Sequence, residues 1–347
     1  METNATTPRR PTLADVAAAA NVSAKSVSRV VNGEPHVSPE LAERVREAVR
    51  ELGYRPDRRA RQLASGRHTR LVGFVLVDTA NPFFAAVARG LDDVAQGSDT
   101  LVISGSTDAD ASREAALIET LVELRVDGLV VAAAEGNNDL LRREIQMGTE
   151  VVLVDRVMPD LDADTIVTDN RSSTRAAVLH LLDLGHRDIA YLGGNPAVWT
   201  ARERLAGFRE AFAERDLAPP HPGLEVLEVG AEAPAAAATR RLLGSGHPAP
   251  TAFVAGQDRI TMGLVRALHE QGRHRDVAVI GFDEIPAADL VEPSVAVIAQ
   301  DPYEMGRRAG QCLVERLAGT RTGDPEMLVV PAELRLRQSA HIRPAPA

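Results

Sequence analysis

The chemistry-bearing residues of this 347-residue chain fall into two sets. Near its start, Lys25 and Arg29 stand four apart among Ala24, Ser26 and Ser28. On a helix that spacing places both cations on an outward face, with Val27, Val30 and Val31 turned inward. Lysine and arginine pair with guanine acceptors in a major groove, and a serine hydroxyl bonds either way. A solvated basic face is the plainer alternative for two cations at helical spacing. The chain has 38 arginines and one lysine, and that lysine is Lys25.

The second set lies where apolar runs end in polar or aromatic groups. Asp78-Thr79-Ala80-Asn81-Pro82-Phe83-Phe84, Asp155-Arg156, Asp169-Asn170, Gln257-Asp258-Arg259 and Gly281-Phe282-Asp283-Glu284 each follow such a run, and Trp199-Thr200-Ala201-Arg202-Glu203-Arg204 opens a helix. Carboxylates, guanidinium groups, amides and a few aromatic faces in one cleft suit a polyhydroxylated or heterocyclic ligand. Taken singly, each has a plainer reading: Asp169-Asn170 as a helix cap, Phe83 or Phe84 as core. Enzyme signatures do not emerge. There is no Gly-x-Gly-x-x-Gly after a strand, no phosphate loop and no Gly-x-Ser-x-Gly elbow, and His269-Glu270 precedes His274 at a spacing of five that breaks a zinc helix. The chain therefore reads as a non-enzyme with no cofactor and no metal.

The elements that position these residues differ in kind. Thr12-Leu13-Ala14-Asp15 has a capping-box pattern and starts a first helix. Asn21-Val22 forms a tight turn, Ser23 caps a second helix running to about Asn32, and a third runs from Pro39 to Leu52, where Gly53 ends it. Leu41, Val45, Ala48, Val49 and Leu52 are its inward positions. Two helices joined by so short a turn make a helix-turn-helix. A polar segment, Asp57 to Ala64, is too short to stay helical without a partner.

From Leu71 onward the pattern changes. Strands are expected at Leu71–Val77, Leu101–Ser104, Gly128–Ala133, Val151–Val154, Ile189–Leu192, Val226–Val229, Ala252–Val254 and Val277–Ile280, with helices between most of them. Short apolar strands alternating with amphipathic helices make parallel sheets covered on both faces, and this number divides into two doubly wound lobes. Ligands in such sheets bind beyond the carboxyl ends of the strands, where the second set of residues lies.

Composition separates the same two regions. The net charge of −10 counts against a nucleic-acid partner only until it is divided. Residues 1–70 carry 13 Lys and Arg against 8 Asp and Glu, a net of +5, and the remainder carries 26 against 41, a net of −15. A basic head on an acidic body is the signature of a DNA-binding module joined to another function. With 44 % hydrophobic residues the chain is not a disordered one. A single cysteine, Cys312, the absence of an 18-residue apolar run and the lack of a secretory h-region give the expectation of a cytoplasmic protein that touches no membrane.

The motifs Thr12-Leu13-Ala14-Asp15-Val16-Ala17, Val22 to Gly33, Val37-Ser38-Pro39-Glu40, Leu52-Gly53-Tyr54-Arg55-Pro56 and Ala60-Arg61-Gln62-Leu63-Ala64 together resemble the head of the lactose/galactose-repressor family of transcription factors. Asn21 stands where glycine is common in that family, and Ser26 where threonine is usual. Looser landmarks continue through the body: Asn81-Pro82-Phe83-Phe84, Val154-Asp155-Arg156, Asp169-Asn170, Leu184-Gly185-His186, Arg204 to Phe208, Gly281-Phe282-Asp283 and Gln300-Asp301-Pro302. The resemblance implies a flexible tail (1–11), a helix-turn-helix domain (12–56), a hinge helix (57–66) and a periplasmic-binding-protein-like body (71–340). Lobe 1 would comprise about 71–168 and 299–327, and lobe 2 about 169–298 and 328–340. It implies DNA contacts from Thr12, Leu13, Ser23, Ala24, Lys25, Ser26, Ser28, Arg29, Asn32, His36, Tyr54, Arg58, Ala60, Gln62, Leu63 and Ala64, with Leu63 wedged into a minor groove. Effector contacts would come from Phe83, Phe84, Asp155, Thr200, Arg204, Gln257 and Asp283, although Gln257 replaces the usual asparagine. The implied partners are an operator in double-stranded DNA, a sugar-like or nucleoside-like effector and a second copy of the chain. The end of the chain has no leucine heptads, so a dimer without a tetramerising coil is expected. A solute-binding protein of the same clamp fold and a nonspecific DNA-coating protein are the competing classes.

Overall fold

The computed structural model describes residues 11–31, 34, 37–54, 69–134, 138–218, 220–244 and 249–345. The chain divides into two units, residues 1–69 and 70–347.

The first unit contains three helices, α1 (Leu13–Ala19), α2 (Ala24–Val31) and α3 (Pro39–Leu52). Their starts and stops are local. Thr12 and Asp15 form the expected capping box, Ser23 Oγ accepts from the Ser26 amide at 3.1 Å, Ser38 caps α3 with Pro39 behind it, and Gly53 ends α3 at φ 62°. Such a cap is worth about 1 kcal/mol, which matters for helices of two turns. Val16, Ala17, Ala20, Val27, Val45 and Ala48 make the core, with Leu41 and Val49 packed against it. Val30 and Val31 are half-buried and pack against it too, and one expected core position differs: Leu52 is 37 % exposed. The 14-residue α3 is about 21 Å long and outruns the 7- and 8-residue helices it packs on. The segment expected as a hinge helix lies outside the described residues.

The second unit has two lobes, each a six-stranded sheet between helices. Sheet one combines β1 (Leu71–Leu76), β2 (Leu101–Ser106), β3 (Gly128–Val131), β4 (Glu150–Val154), β5 (Asp164–Thr168) and β11 (Met327–Val330) in the order β11-β5-β4-β3-β1-β2, all parallel. Helices α4 (Pro82–Gly97), α5 (Ala111–Glu123), α6 (Asn138–Gln146) and α11 (Pro302–Leu317) belong to this lobe. Sheet two combines β6 (Ile189–Leu192), β7 (Glu225–Val226), β8 (Ala252–Ala255), β9 (Ala278–Phe282), β10 (Ala296–Ala299) and β12 (Glu333–Arg335) in the order β12-β10-β9-β8-β6-β7. Only β12 runs antiparallel to its neighbour. Its helices are α7 (Asn170–Asp183), α8 (Trp199–Glu214), α9 (Glu232–Gly244) and α10 (Asp258–Glu270).

The central strands of both sheets are buried on both faces, as continuous apolar strands require. Helices approach to backbone contact where a glycine permits it. A Cβ on Gly306 of α11 would stand 2.0 Å from the Val87 carbonyl oxygen of α4, and one on Gly207 of α8 would stand 2.1 Å from that of Arg171 in α7. Cys312 is buried in lobe 1, and burial pushes its thiol up to about 11, which leaves it unreactive.

The chain passes between the lobes three times, after Thr168, after Ala299 and after Val330. The last passage corrects the expected boundary. Met327–Val330 completes sheet one by pairing with Asp164–Thr168, so lobe 1 extends to residue 330. Strands β10, β11 and β12 were not among the expected ones, and Val226–Val229 shrinks to the two-residue β7. Among the described residues, no helix is long and apolar enough to cross a membrane.

Candidate functional site

The outer face of α2 carries the first candidate site. Ala24 and Lys25 are exposed, and Ser28 and Arg29 are half-exposed, while Val27 is fully buried beneath them. Arg29 Nε lies 3.4 Å from the Glu34 carboxylate, a surface pair worth at most about 1 kcal/mol. Ser23 and Ser26 are occupied with each other, hydroxyl to hydroxyl at 2.9 Å. Thr12 gives both its hydroxyl and its amide to Asp15 at 2.7 Å. Leu13 and Tyr54 pack against the three-helix core. These residues therefore hold the head together whatever else they touch. Asn32, His36, Arg58, Ala60, Gln62, Leu63 and Ala64 lie outside the described residues.

The second candidate site is where the carboxyl ends of the strands in the two lobes come together. Its centre is Arg204, on the first turns of α8 and 6 % exposed. Its Nε donates to Asn170 Oδ1 at 2.7 Å, its Nη1 donates to the Gly256 carbonyl at 2.7 Å, and its guanidinium lies 3.6 Å above the Phe282 ring. Planar stacking with two fixed acceptors holds the group rigidly, a role that arginine fills and lysine does not. Nη1 also stands 3.9 Å from Asp283 Oδ2.

Asp283 follows β9 with a left-handed backbone, φ 71°, and its amide donates to Ile298 of β10 at 2.9 Å. Aspartate tolerates that conformation better than most residues. The side chain keeps 17 % exposure and accepts from Gln300 Nε2 at 2.6 Å. Loss of water pushes its carboxyl up to about 6; Arg204 and Gln300 pull against that, and Asp258 and Asp155 add to it. Asp155 repeats the geometry after β4, with φ 74° and an amide bond of 2.9 Å to Ile166 of β5. Its carboxylate accepts from Arg156 Nε at 3.2 Å.

Thr200 is buried on the first turn of α8, on the Arg204 side. Gln257 precedes α10 and donates to the Gly230 carbonyl at 2.7 Å. Phe83 is half-buried, and Phe84 is 5 % exposed inside the lobe 1 core, edge-on to Phe83 at 5.1 Å. The plainer reading holds for Phe84, and Phe83 packs against the same lobe 1 core from its edge.

Three residues of the strand-end set take roles that the sequence did not assign to them. Asn170 looked like a helix cap, yet it is buried and receives Arg204. Phe282 is the platform under that arginine, and Asp78 pairs with Arg259, so the two lobes are joined by an ion pair at the ends of β1 and α10. In each case the partner is distant in sequence, and the only signal was a place at a strand end. Among the described residues no cluster of His, Cys, Asp or Glu is set to hold a metal; His269 and His274 stack ring on ring at 4.1 Å instead.

Residues 12–57 match the model for bacterial regulatory proteins of the lacI family, and residues 178–340 match a periplasmic binding protein-like domain. The chain is 31 % identical over 311 residues to the ribose operon repressor of Haemophilus influenzae, spanning 88 % of this chain and 92 % of that one. It is 33 % identical over 344 residues to the transcriptional regulator PtxS of Pseudomonas plecoglossicida, spanning 96 % and 97 %. The structure of the lac repressor dimer bound to operator and the anti-inducer ONPF aligns with a TM-score of 0.80 at 27 % identity, covering 96 % of this chain and 99 % of that one.

Proposed function

The chain belongs to the lacI family of bacterial regulatory proteins, and from that premise we propose that it is a repressor acting in the cytoplasm. As a homodimer it binds a pseudo-palindromic operator through two helix-turn-helix heads, and a sugar-like or nucleoside-like effector in the interlobe cleft controls that binding. The observation that carries this reading is the presence on one chain of both devices: a helix that exposes Lys25 and Arg29, and a cleft in which Arg204 is held against Asp283. A nonspecific DNA-coating protein has no use for the second, and a solute-binding protein none for the first.

Lys25 and Arg29 are the base-reading residues in this scheme, and Leu63 is the minor-groove wedge. The test is an anisotropy titration on DNA from upstream of the protein's own gene, with unrelated DNA as competitor. A repressor prefers its operator by about 10³–10⁷, and equal competition by unrelated DNA would refute the reading. Lys25→Ala is expected to weaken operator binding by about 1–3 kcal/mol, and both Lys25→Ala and Leu63→Ala are expected to leave effector binding intact. Effector must change operator affinity by the factor by which operator changes effector affinity.

A further inference from the structure

We propose that Glu284 is a positioning residue of the effector site, holding the Asp283 carboxylate at its distance from Arg204; the inference rests on the cleft being that site. Asp283 Oδ2 stands 3.9 Å from Arg204 Nη1, near enough for attraction and too far for a hydrogen bond. Neither group satisfies the other, so the carboxylate stays where it is only if it is restrained from turning to close the gap. Gln300 Nε2 restrains the side chain itself, donating to Oδ1 at 2.6 Å. The backbone is restrained on both sides of the turn. The Asp283 amide is fixed to the Ile298 carbonyl at 2.9 Å, and the next residue, Glu284, is clamped. Arg337 grips both of its carboxylate oxygens, Nη1 to Oε1 at 2.8 Å and Nη2 to Oε2 at 2.9 Å, and Arg335 Nη1 donates to Oε2 at 3.1 Å. A two-pronged arginine fork fixes direction as well as distance. It is itself anchored, because Arg337 Nη1 also donates to the Val295 carbonyl at 2.8 Å.

The clamp completes a pattern in the three passages between the lobes. The first delivers Asn170, whose Oδ1 receives Arg204 Nε at 2.7 Å, and the second delivers Gln300 to Asp283. The third leads into β12, where Arg335 stands opposite Val297 of β10, and on to Arg337. Its route to the Arg204 and Asp283 pair is Glu284. The first and third passages are also bonded to each other, Thr168 Oγ1 donating to the Val330 carbonyl at 2.8 Å and the Ala332 amide to Asp169 Oδ1 at 2.7 Å. Each passage therefore reaches one member of the pair. The Glu284 side chain is 39 % exposed, too wet for its ion pairs to weigh heavily in stability. Its consequence is expected in affinity.

The test is calorimetric titration of the full chain with D-ribose, D-glucose, cellobiose and adenosine, followed by a double-mutant cycle on the tightest binder among them. Glu284→Gln keeps the shape of the side chain and removes its charge, and it is expected to weaken that probe about tenfold. Because it acts through Asp283, the variant carrying both Glu284→Gln and Asp283→Asn is expected to bind no more weakly than Asp283→Asn alone. Losses that multiply in the double variant would overturn the positioning role and leave the effector site standing. So would a Glu284→Gln chain that melts lower and binds the probe as tightly as the natural one, which would mark the clamp as purely structural. An affinity that Asp283→Asn does not change would overturn the place of Asp283 in that site, and failure of every probe would overturn the site itself; the inference falls with either.

Discussion

The two lobes use one backbone device in two electrostatic settings. In lobe 1, β4 runs out into Asp155, and in lobe 2, β9 runs out into Asp283; both take a left-handed turn, and both donate their amide at 2.9 Å to an isoleucine of the following strand. The carboxylates then diverge. Asp155 is neutralised by its own sequence neighbour, Arg156. Asp283 faces Arg204, a residue of a different helix held by three other groups, and it has lost enough water to rise to about 6. Asp99, Asp108 and Asp216 take the same backbone conformation at turns, so it is the partners of Asp155 and Asp283, not their backbone, that set the two apart. On the proposed function, Asp283 is the carboxylate set to meet an effector, while Asp155 is already engaged by Arg156.

The sharpest way to break that contrast is at Arg204. Arg204→Ala is expected to abolish effector binding and to destabilise the protein by about 3–5 kcal/mol, because it strands buried partners; titration calorimetry and denaturant melts read the two effects. Arg204→Lys is expected to fold better and still fail to bind. The two aspartates give the next test. Asp283→Asn is expected to weaken effector by about a hundredfold and Asp155→Asn by less than about tenfold. Equal losses would end the asymmetry.

The same substitution carries a pH signature. The Asp283 carboxyl is raised in the folded chain, so its contribution to stability is present at low pH and is lost as pH rises through about 6. Asp283→Asn is therefore expected to melt higher than the natural chain at pH 7.5 and to lose that advantage near pH 4. A constant difference in melting temperature across this range would count against a strained carboxylate.

Smaller effects separate scaffold from grip. Gly306→Ala and Gly207→Ala both drive a methyl group into a facing carbonyl, and each is expected to cost about 1–3 kcal/mol. Because Gly207 shares α8 with Arg204, only its substitution is expected to weaken effector as well. Asp78→Asn is expected to change stability by less than about 1 kcal/mol, since its partner Arg259 is half-exposed. Its effect is expected instead in the coupling between effector and operator, measured as the ratio of operator affinities with and without effector.

What was legible in the sequence follows the range of the interactions. The helix-turn-helix could be read almost residue by residue, because Thr12, Ser23, Ser38 and Gly53 act on amides within three or four positions. Most strands of the lobes were legible as apolar runs, although the four-residue buried run of β10, Ala296–Ala299, was passed over. The short edge strands β11 and β12 were not, because Met327–Val330 and Glu333–Arg335 carry exposed residues and gain their place only from partners far away in the chain. The cleft was legible as residue types at strand ends. Its wiring was not, since Asn170 meets Arg204 across 34 positions and Gln300 meets Asp283 across 17.

The threefold passage of the chain between lobes also fixes an order of assembly. Sheet one waits for β11 and sheet two for β12, and both strands are made only after residue 326. The helix α11, which packs along α4, also arrives late, more than 200 residues after its partner. Neither lobe can finish as an N-terminal domain while the other is still being synthesised, so the usual domain-by-domain route of folding during translation is closed to them. A nascent chain stalled before residue 320 lacks the strands β11 and β12 that complete the two sheets.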